Sequence, residues 1–559
     1  MRNFTFKGLF LTAVFMLLGC LTIQAADDDL ITKQITVKLD KAGTLSGKIV
    51  SYGMYKITNL KIVGKINGLD WQLIREMAGR DYYGDSTEGK LSVLDLSEAK
   101  IVKGDRYCYY YIFGFGDDDD DNTNYGYTSN DKIGDFAFCG CSGLTSLTLP
   151  ASITTIGKYA FNGCSGLTSL TIPDGVTEIG KYAFSGCSGL TSLNLPASIT
   201  TIGKYAFSGC SGLTSLNLPA SITEIGRGAF EGCTGLTTLN LPASITEIGR
   251  GAFEGCTGLT TLNLPANITE IGYGTFNGCS GLTSLNLPAG LTEIGYRAFY
   301  GCSGLTSLNL PAGLTEIDYY AFSGCSGLTS LNLPASITEI GWYAFEGCTG
   351  LTSVTLPSSL NRIGDDAFKD CNALKEVSFC INDDLETYLT KGHPFIGVAC
   401  GIKYYINDKE ITSIEIPSNV TTLGQNVLQG CSGLTSLTIP AGITSIGSSA
   451  FEGCSGLKSI YVYAEKVPKI GEDVFTGCDA KKCILYVPKG TYDDYWLSDF
   501  GYFENIVEFD ATGIDKTTTS TDVKEVSRYS ANGQRLVSPT KGLNIVKYSD
   551  GSVKKVAVE

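Results

Sequence analysis

The feature of this sequence that most constrains its fold is an internal repeat of 23 residues. From Cys210 the chain reads CSGLTSLNLPASITEIGRGAFEG, and nearly the same string begins again at Cys233 and at Cys256. Cysteine recurs at this interval, without a slip, from Cys141 to Cys371. Such repetition indicates units that stack on one another, because one unit alone cannot bury its apolar side chains. The sequence therefore predicts a repeat solenoid, although 559 residues would otherwise suggest three or four globular domains.

Each copy divides into two apolar stretches and a turn. LTSLNLP predicts a short strand with Leu213 and Leu216 facing inward, ended by Pro219, which cannot donate to a strand ladder. SITEIG predicts a second short apolar segment. RGAFEGC brings Phe230 and Cys233 to a spacing of three, which favours one short helical or 3₁₀ turn. Stacked copies would then form columns of Leu, Ile, Phe and Cys, and these columns would be the core.

The cysteines are numerous, 20 in all, but their spacing argues against a disulfide framework. Equivalent residues of stacked repeats lie about 4.8 Å apart with parallel side chains. A disulfide needs Cβ atoms about 3.8 Å apart and inclined toward each other. We therefore expect the eleven cysteines at the 23-residue interval to form a buried column of reduced thiols that pack as small hydrophobic groups.

Seven segments are predicted along the chain. The period is strict only in the middle, the flanking units are longer and irregular, and DATGIDKTTTSTD has the composition of a linker. The predicted segments are a signal peptide at 1–25, an N-terminal cap with irregular repeats at 26–140, the regular array at 141–371, an insertion and irregular repeat at 372–430, C-terminal repeats and a cap at 431–510, a linker at 511–522 and a small β tail at 523–559.

The N-terminus predicts export from the cytoplasm. Arg2 and Lys7 precede the apolar run GLFLTAVFMLLG, and Ala25 offers a small residue for cleavage. The run is too short for a comfortable membrane span, and no other segment qualifies. LLGC also resembles a lipobox, so the alternative is an outer-membrane lipoprotein attached through Cys20. Both readings predict a location at the cell surface or outside the cell.

The repeat LTSLNLPASITEIGxxAFxGC resembles that of the BspA-like leucine-rich repeat family of bacterial surface proteins, from about Ile57 to Asp510. The resemblance implies a leucine-rich repeat solenoid, surface exposure and adhesion to host or bacterial proteins and glycoproteins. It brings no catalytic residues. The C-terminal segment from Tyr529 is similar to short terminal segments of exported Bacteroidetes proteins, some of which serve in secretion or surface attachment.

Little in the sequence points to catalysis, a metal or a cofactor. The net charge of −15 argues against a general affinity for nucleic acid. The single histidine, His393, lies in the predicted insertion, so an enzyme of the Ser-His or Cys-His type would have to use that segment. The run Asp117 to Asp121 lacks the turn glycine of a calcium loop and is predicted to be a solvated loop. We predict no cofactor and no metal site.

One position varies from repeat to repeat and is therefore free of the stacking constraint. The residue after the turn position, which is glycine in eight of these repeats and Asp318 in the other, passes from basic to aromatic along nine repeats: Lys158, Lys181, Lys204, Arg227, Arg250, Tyr273, Tyr296, Tyr319 and Trp342. Tyrosine, tryptophan and arginine are favoured at binding hot spots, so this column is a candidate recognition strip. The alternative is structural, with the rings covering one another and the edge of the core.

The outward side of the first strand is a second candidate surface. Asn217, Asn240 and Asn263 lie at equivalent outward positions and could hydrogen-bond a ligand along the sheet. The alternative is a solvated face with side-chain ladders. The sequence thus predicts a non-enzymatic surface or secreted binding protein, adhesin-like, for host extracellular or bacterial surface proteins and glycoproteins. A glycan-binding protein for nutrient capture, with the aromatic residues stacking on sugar rings, is the alternative.

Overall fold

A computed structural model describes residues 30–49, 53–104, 107–110, 125–360, 362–364, 366–379, 403–406, 409–511, 525–530, 535–536, 538, 541–548 and 553–558. The predicted signal peptide with Cys20, the run Asp117 to Asp121, His393 and nearly all of the predicted linker lie outside these residues. The chain forms two compact units, Met1–Leu305 and Thr306–Glu559.

In the unit Met1–Leu305 every regular repeat contributes two short parallel strands. The first strands form one sheet in chain order: Ile35–Leu39, Asn59–Ile66, Val93–Ile101, Ser146–Thr148, Ser169–Thr171, Ser192–Asn194, Ser215–Asn217, Thr238–Asn240, Thr261–Asn263 and Ser284–Asn286. The second strands also pair in parallel, but in three separate groups. The groups are Lys132–Ile133, Thr155–Ile156 and Glu178–Ile179; Thr201–Ile202, Glu224–Ile225 and Glu247–Ile248; and Glu270–Ile271 and Glu293–Ile294. Residues one period apart are partners, so the repeat itself sets the register.

The start of this unit departs from the regular pattern. An α-helix at Gly68–Met77 begins with a capping box in which Asn67 and Asp70 bond each other's backbone N–H groups. Shorter elements are the helix Leu45–Lys48, the 3₁₀ helix Met54–Lys56, and the antiparallel strands Tyr107–Tyr110 and Tyr125–Tyr127.

In the unit Thr306–Glu559 the repeats continue and a separate sheet follows them. The first strands are Ser330–Asn332, Ser353–Leu356, Glu376–Phe379 and Lys403–Ile406 with the antiparallel Lys409–Glu410, then Ser413–Glu415, Ser436–Ile439, Ser459–Val462, Ile484–Pro488 and Asn505–Phe509. The second strands are Glu316–Ile317, Glu339–Ile340 and Arg362–Ile363, then Thr422–Leu423, Ser445–Ile446 and Lys469–Ile470. The helix Tyr492–Trp496 and the 3₁₀ helix Asp499–Tyr502 precede the strand Asn505–Phe509.

The core is built from the predicted columns. Six phenylalanine rings of consecutive repeats are completely buried and stack nearly parallel, with centroids 5.1 to 5.6 Å apart: Phe161, Phe184, Phe207, Phe230, Phe253 and Phe276. Leucine and isoleucine columns fill the space between the strands. A repeat thus buries its apolar side chains against its two neighbours.

The prediction for the cysteine column is confirmed, since all eleven thiols are free and buried. Their role differs from that of a simple hydrophobic group, because thiols along the column donate to the carbonyl of the phenylalanine one repeat earlier. The Sγ of Cys210 lies 3.2 Å from the Phe184 carbonyl oxygen, and the Sγ of Cys256 lies 3.2 Å from that of Phe230. Burial raises the pKa of Cys256 to about 12, so the thiol stays protonated and remains a donor.

The segment predicted to form one helical or 3₁₀ turn is a run of turns instead, with no helix in the described repeats. Alternate N–H groups bond within the repeat, as from Ala229 to the Gly226 carbonyl. The others bond to the next repeat, as from Phe230 to Ala252 at 2.8 Å and from Gly232 to Glu254 at 2.7 Å. A helix would turn all its N–H groups to its own carbonyls, whereas this conformation gives half of them to the neighbouring repeat. The result is a third ladder that joins the repeats beside the two sheets.

The tail strands form an antiparallel sheet in the order Arg535–Leu536, Glu525–Ser530, Gly542–Tyr548 and Val553–Val558. This sheet contacts the outward side of the last repeats. Lys547 Nζ donates to the Tyr463 hydroxyl at 2.7 Å and lies 5.1 Å from its ring centroid. Burial lowers the pKa of Lys547 and raises that of Tyr463 to about 12. The small β tail therefore packs on the repeats of its own unit.

Candidate functional site

The nine positions of the candidate strip fall into both units, and each part is described by itself. Lys158 to Tyr296 belong to the unit Met1–Leu305, whereas Tyr319 and Trp342 belong to the other unit. All nine lie two residues after the second strand of a repeat, where the turn ladder begins. Arg227, Arg250, Tyr273 and Trp342 are exposed, and Tyr296 and Tyr319 are partly exposed.

In the first unit, Tyr273 and Tyr296 form a stacked pair, called here the tyrosine pair. Their ring centroids are 5.0 Å apart, with 21° between the ring planes. A guanidinium lies over each ring, because Arg250 Cζ is 6.0 Å from the centroid of Tyr273 and Arg297 Cζ is 5.2 Å from that of Tyr296. Cation–π contacts of this kind stabilise surface rings by about 0.5–1 kcal/mol. Tyr273 nevertheless remains 48% exposed.

In the second unit, Tyr319 and Trp342 form the tyrosine–tryptophan pair. Their ring centroids are 5.4 Å apart, and the two ring planes are nearly parallel, with 7° between them. Each ring also lies on the backbone of the following repeat: a Cβ built on Gly341 would meet the ring of Tyr319, and a Cβ on Gly364 would overlap Cδ1 of Trp342. A side chain at either glycine would meet both the aromatic ring and the backbone of the preceding repeat.

The two pairs share a geometry that decides what they can bind. Each ring has one face against the other ring of its pair, and a guanidinium lies over Tyr273 and over Tyr296. Arg362 adds a charge beside the second pair, with Nη1 2.6 Å from Glu339 Oε1. The charge of Glu339 and the hydrogen bond that Arg362 donates to the Tyr319 side chain raise the pKa of Arg362. These surfaces combine apolar edges with groups that form directional hydrogen bonds and ion pairs.

A second aromatic column lies beside the candidate strip, at the next position of the repeat. Tyr159, Tyr182 and Tyr205 stack at 4.8 Å intervals, and their backbones have φ of 54° to 56°, in the left-handed region. The same position is Gly228 in the next repeat, and the Tyr205 ring lies where its side chain would be. The alternation between tyrosine and glycine at this position could have revealed the second column from the sequence, because glycine marks positions that need positive φ.

The strand-face asparagines form a separate column. Asn217, Asn240 and Asn263 are exposed and are direct register partners in the parallel sheet. Asn286 Nδ2 donates to Asn263 Oδ1 at 2.8 Å, so part of the column forms a side-chain ladder. Threonine hydroxyls beside it bond to backbone carbonyls one repeat away, as from Thr237 to Thr214 at 3.3 Å. Much of the polarity of this face is thus used between repeats.

Metal-ligating clusters and titratable side chains decide what chemistry the described residues could perform. Within the ranges that the structure describes, no group of three or more His, Cys, Asp or Glu side chains could hold a metal ion. Burial, and then repulsion from Glu254, raises the pKa of Glu231, and Arg227 partly offsets this. The raised thiol pKa values keep the cysteines from acting as nucleophiles, since only the thiolate is reactive.

Three solved structures illustrate what the chain resembles. A leucine-rich repeat protein from Bacteroides ovatus is 28% identical, with 69% of this chain and 89% of that chain covered and a TM-score of 0.45. The T. pallidum leucine-rich repeat protein is 34% identical, with 28% and 77% covered and a TM-score of 0.27. A leucine-rich cell surface protein from Faecalibacterium prausnitzii is 26% identical, with 60% and 84% covered and a TM-score of 0.30. A search of curated protein sequences gives no match.

The family model of the BspA-type leucine-rich repeat region matches residues 131–260, 246–375 and 401–491. Together these segments cover more than half of the chain, and they contain the strands and turns of the regular repeats. Among the helices that the structure describes, none combines the length and the apolarity of a membrane span. The repeat geometry and the family match agree, and the chain belongs to the BspA-type leucine-rich repeat family.

Proposed function

We propose that this protein is a non-enzymatic, adhesin-like binding protein of the cell surface or the extracellular space. Its partners are host extracellular or bacterial surface proteins and glycoproteins. The contact surfaces are the tyrosine pair with Arg227 and Arg250 and the tyrosine–tryptophan pair. The observation that carries the proposal is the exposure of stacked rings at positions that stacking of the core leaves free.

Rigidity supports a binding role for these rings. A ring held by a neighbouring ring and a guanidinium has little conformational freedom left to lose when a partner arrives, so association costs less entropy. Tryptophan, tyrosine and arginine are also the side chains most often found at binding hot spots. If these rings had no binding role, exposed aromatic side chains at equivalent positions of successive repeats would only reduce solubility.

The geometry favours a protein partner over a neutral glycan. A sugar ring that stacks on an aromatic side chain needs a free ring face. Tyr273 and Tyr296 stack on each other with a guanidinium over each ring, and Tyr319 and Trp342 each have one face against the other ring. Protein side chains can instead pack against ring edges and bond to the polar rim. Nutrient capture through sugar stacking is therefore the weaker candidate.

The proposal is tested with the full-length protein on two arrays, one of extracellular matrix and bacterial surface proteins and one of glycans. We expect binding on the protein array. The variant Y296S/Y319S/W342S should then bind the same partner at least about 30-fold more weakly, as truncation of a hot spot costs about 2 kcal/mol or more.

A strand-face variant, N217K/N240K/N263K, serves as the matched comparison. It should bind as the wild type does, because it leaves the aromatic pairs untouched. Loss of binding only in this variant would move the site to the strand face. Loss of folding in the aromatic variant, seen by circular dichroism, would show that the rings are structural. Binding confined to neutral glycans would establish the alternative function.

A further inference from the structure

The short helix near the end of the repeats presents large apolar side chains to solvent. Within residues 492–497, which contain the helix Tyr492–Trp496, three such side chains are exposed: Tyr492 (40%), Trp496 (47%) and Leu497 (83%). The rings of Tyr492 and Trp496 lie one helical turn apart, with centroids separated by 6.3 Å and 8° between their planes. This stretch is called here the apolar cap segment.

The apolar cap segment is held firmly by its inner side. Tyr495 is completely buried, and its hydroxyl donates to the Ala464 carbonyl at 2.7 Å. Phe500 and Phe503 are also completely buried, and their ring centroids lie 5.6 and 5.1 Å from that of Phe475. The outer side chains are therefore exposed on a backbone that is already in place. A partner that packs on them has little ordering of this segment left to offset.

The charge around the apolar cap segment has one sign. Residues 490–510 contain no lysine or arginine and six carboxylates: Asp493, Asp494, Asp499, Glu504, Glu508 and Asp510. Glu508 and Asp510 are already engaged, the first by backbone N–H groups and the second by Arg535. Asp493, Asp494 and Asp499 are exposed, and in the part of the chain that the structure describes none of them forms a salt bridge. Three uncompensated carboxylates thus stand beside the exposed apolar side chains.

We propose that the apolar cap segment docks a basic amphipathic segment of a partner protein. Arginine side chains of the partner would face the three aspartates, because the guanidinium fork matches a planar carboxylate. Its large apolar side chains would pack on Tyr492, Trp496 and Leu497, where a guanidinium can also lie over the indole ring. This inference goes beyond the binding function proposed above, because it concerns a different surface and a partner recognised by its positive charge.

The same charges distinguish a protein partner from a membrane surface. Exposed tryptophan, tyrosine and leucine also occur in segments that lie in the headgroup region of a bilayer, but such segments carry lysine and arginine on their polar side. Here the polar positions are aspartates, which anionic lipids repel. Charge complementarity therefore favours a cationic protein segment, and a membrane becomes an outcome of the test.

The test uses the full-length protein and, as the probe, a synthetic amphipathic helix of about 20 residues with arginine on one face and leucine on the other. In a W342F background Trp496 is the one exposed tryptophan of three, since Trp71 is 1% exposed. We expect the tryptophan emission to shift to shorter wavelength when the peptide binds, and the affinity to fall as salt is raised.

Two variants separate the charged and the apolar contributions, with affinities measured by calorimetry. D493N/D494N/D499N and W496S/L497S should each bind the peptide at least about tenfold more weakly. The matched controls remove the same groups from exposed positions of the unit Met1–Leu305. These are E224Q/E247Q/E270Q for the carboxylates and L30S/Y83S for the apolar side chains, and both should keep the wild-type affinity.

Each of the other results would overturn the inference. These are no peptide binding by the wild type at low salt, an equal loss in the aspartate variant and its glutamate control, equal binding of a peptide with glutamate in place of arginine, binding of phosphatidylcholine vesicles in place of the peptide, and an emission shift that depends on protein concentration alone. If W496S/L497S is unfolded by circular dichroism, the aspartate variant decides. Y296S/Y319S/W342S should retain peptide binding, so failure of this inference and failure of the proposed function are distinguishable.

Discussion

The protein contains two kinds of aromatic stack with almost the same geometry and opposite surroundings. The rings of Phe230 and Phe253 are 5.4 Å apart and completely buried, whereas those of Tyr319 and Trp342 are also 5.4 Å apart and partly exposed. Both follow from the stacking of one repeat on the next. What differs is whether the ring loses its contact with water, and this decides which stack stabilises the fold and which one is available to a partner.

The comparison shows why neighbouring positions of one repeat vary so differently. Phenylalanine persists at the inner position because another side chain there would leave a cavity or overpack two interfaces at once. The outer position holds Lys, Arg, Tyr or Trp because only the small energy of a surface contact depends on it. The periodicity of the backbone is thus independent of the chemistry on its surface.

The largest expected effect comes from opening the inner stack. Phe230→Ala should destabilise the array by about 3–5 kcal/mol, because the cavity lies between two neighbouring rings. Hydrogen exchange should rise first in the repeats on either side of residue 230, since each repeat contacts only its neighbours. Protection lost only at distant residues, with these repeats unchanged, would contradict the nearest-neighbour architecture.

A smaller effect concerns the thiols packed beside that stack. Burial raises the folded-state pKa of Cys210 and of Cys256 to about 12, so the folded protein keeps protons that the unfolded chain loses above about pH 8.5. Stability is therefore intact below that pH and falls above it, by about 1.4 kcal/mol per pH unit for each such thiol that is exposed on unfolding.

The measurement is urea unfolding between pH 7 and pH 10 with a reductant present. Cys256→Ala should make the alkaline loss of stability less steep, because one titrating group is removed. An unchanged slope in that variant would assign the loss to other groups. Alkylation of the native protein at pH 7 should label few of the buried thiols.

The smallest effect is expected in the outer stack, and it completes the comparison. Tyr273→Ala removes a ring that is 48% exposed, and should change the free energy of unfolding by less than about 1 kcal/mol. Thermal unfolding of this variant beside Phe230→Ala is the direct test. A loss as large as that of the inner variant would show that the outer rings are part of the core.

Much of this fold could be predicted because the 23-residue period sets both the register and the columns. Phe230 and Cys233 were assigned correctly to the interior from their spacing alone. The conformation of the turn that carries them was predicted wrongly, since a spacing of three suits a helix and a run of turns equally. Only the positive φ of Gly228 and Gly232 distinguishes the two conformations. The hydrogen bonds from Cys210 and Cys256 to phenylalanine carbonyls depend on the same turn.

The candidate site was predictable in its positions and not in its contacts. The sequence identified Tyr273 and Trp342 as exposed, but the covering of ring faces depends on side-chain directions that no periodicity reveals. The contact between Lys547 and Tyr463 joins residues 84 positions apart across a break in the repeat. The use of these surfaces in binding remains the proposal made above.

The turn ladder has a consequence for the history of such a chain. Its hydrogen bonds run between backbone groups, as from Gly232 to Glu254 and, one repeat later, from Gly255 to Asn277. If residues 233–255 were deleted, Gly232 would meet Asn277 in place of Glu254, and the interface would be of the same kind. Unequal recombination between near-identical coding repeats can therefore lengthen or shorten the array by whole units, and each event shifts the order of surface residues without a new fold having to evolve.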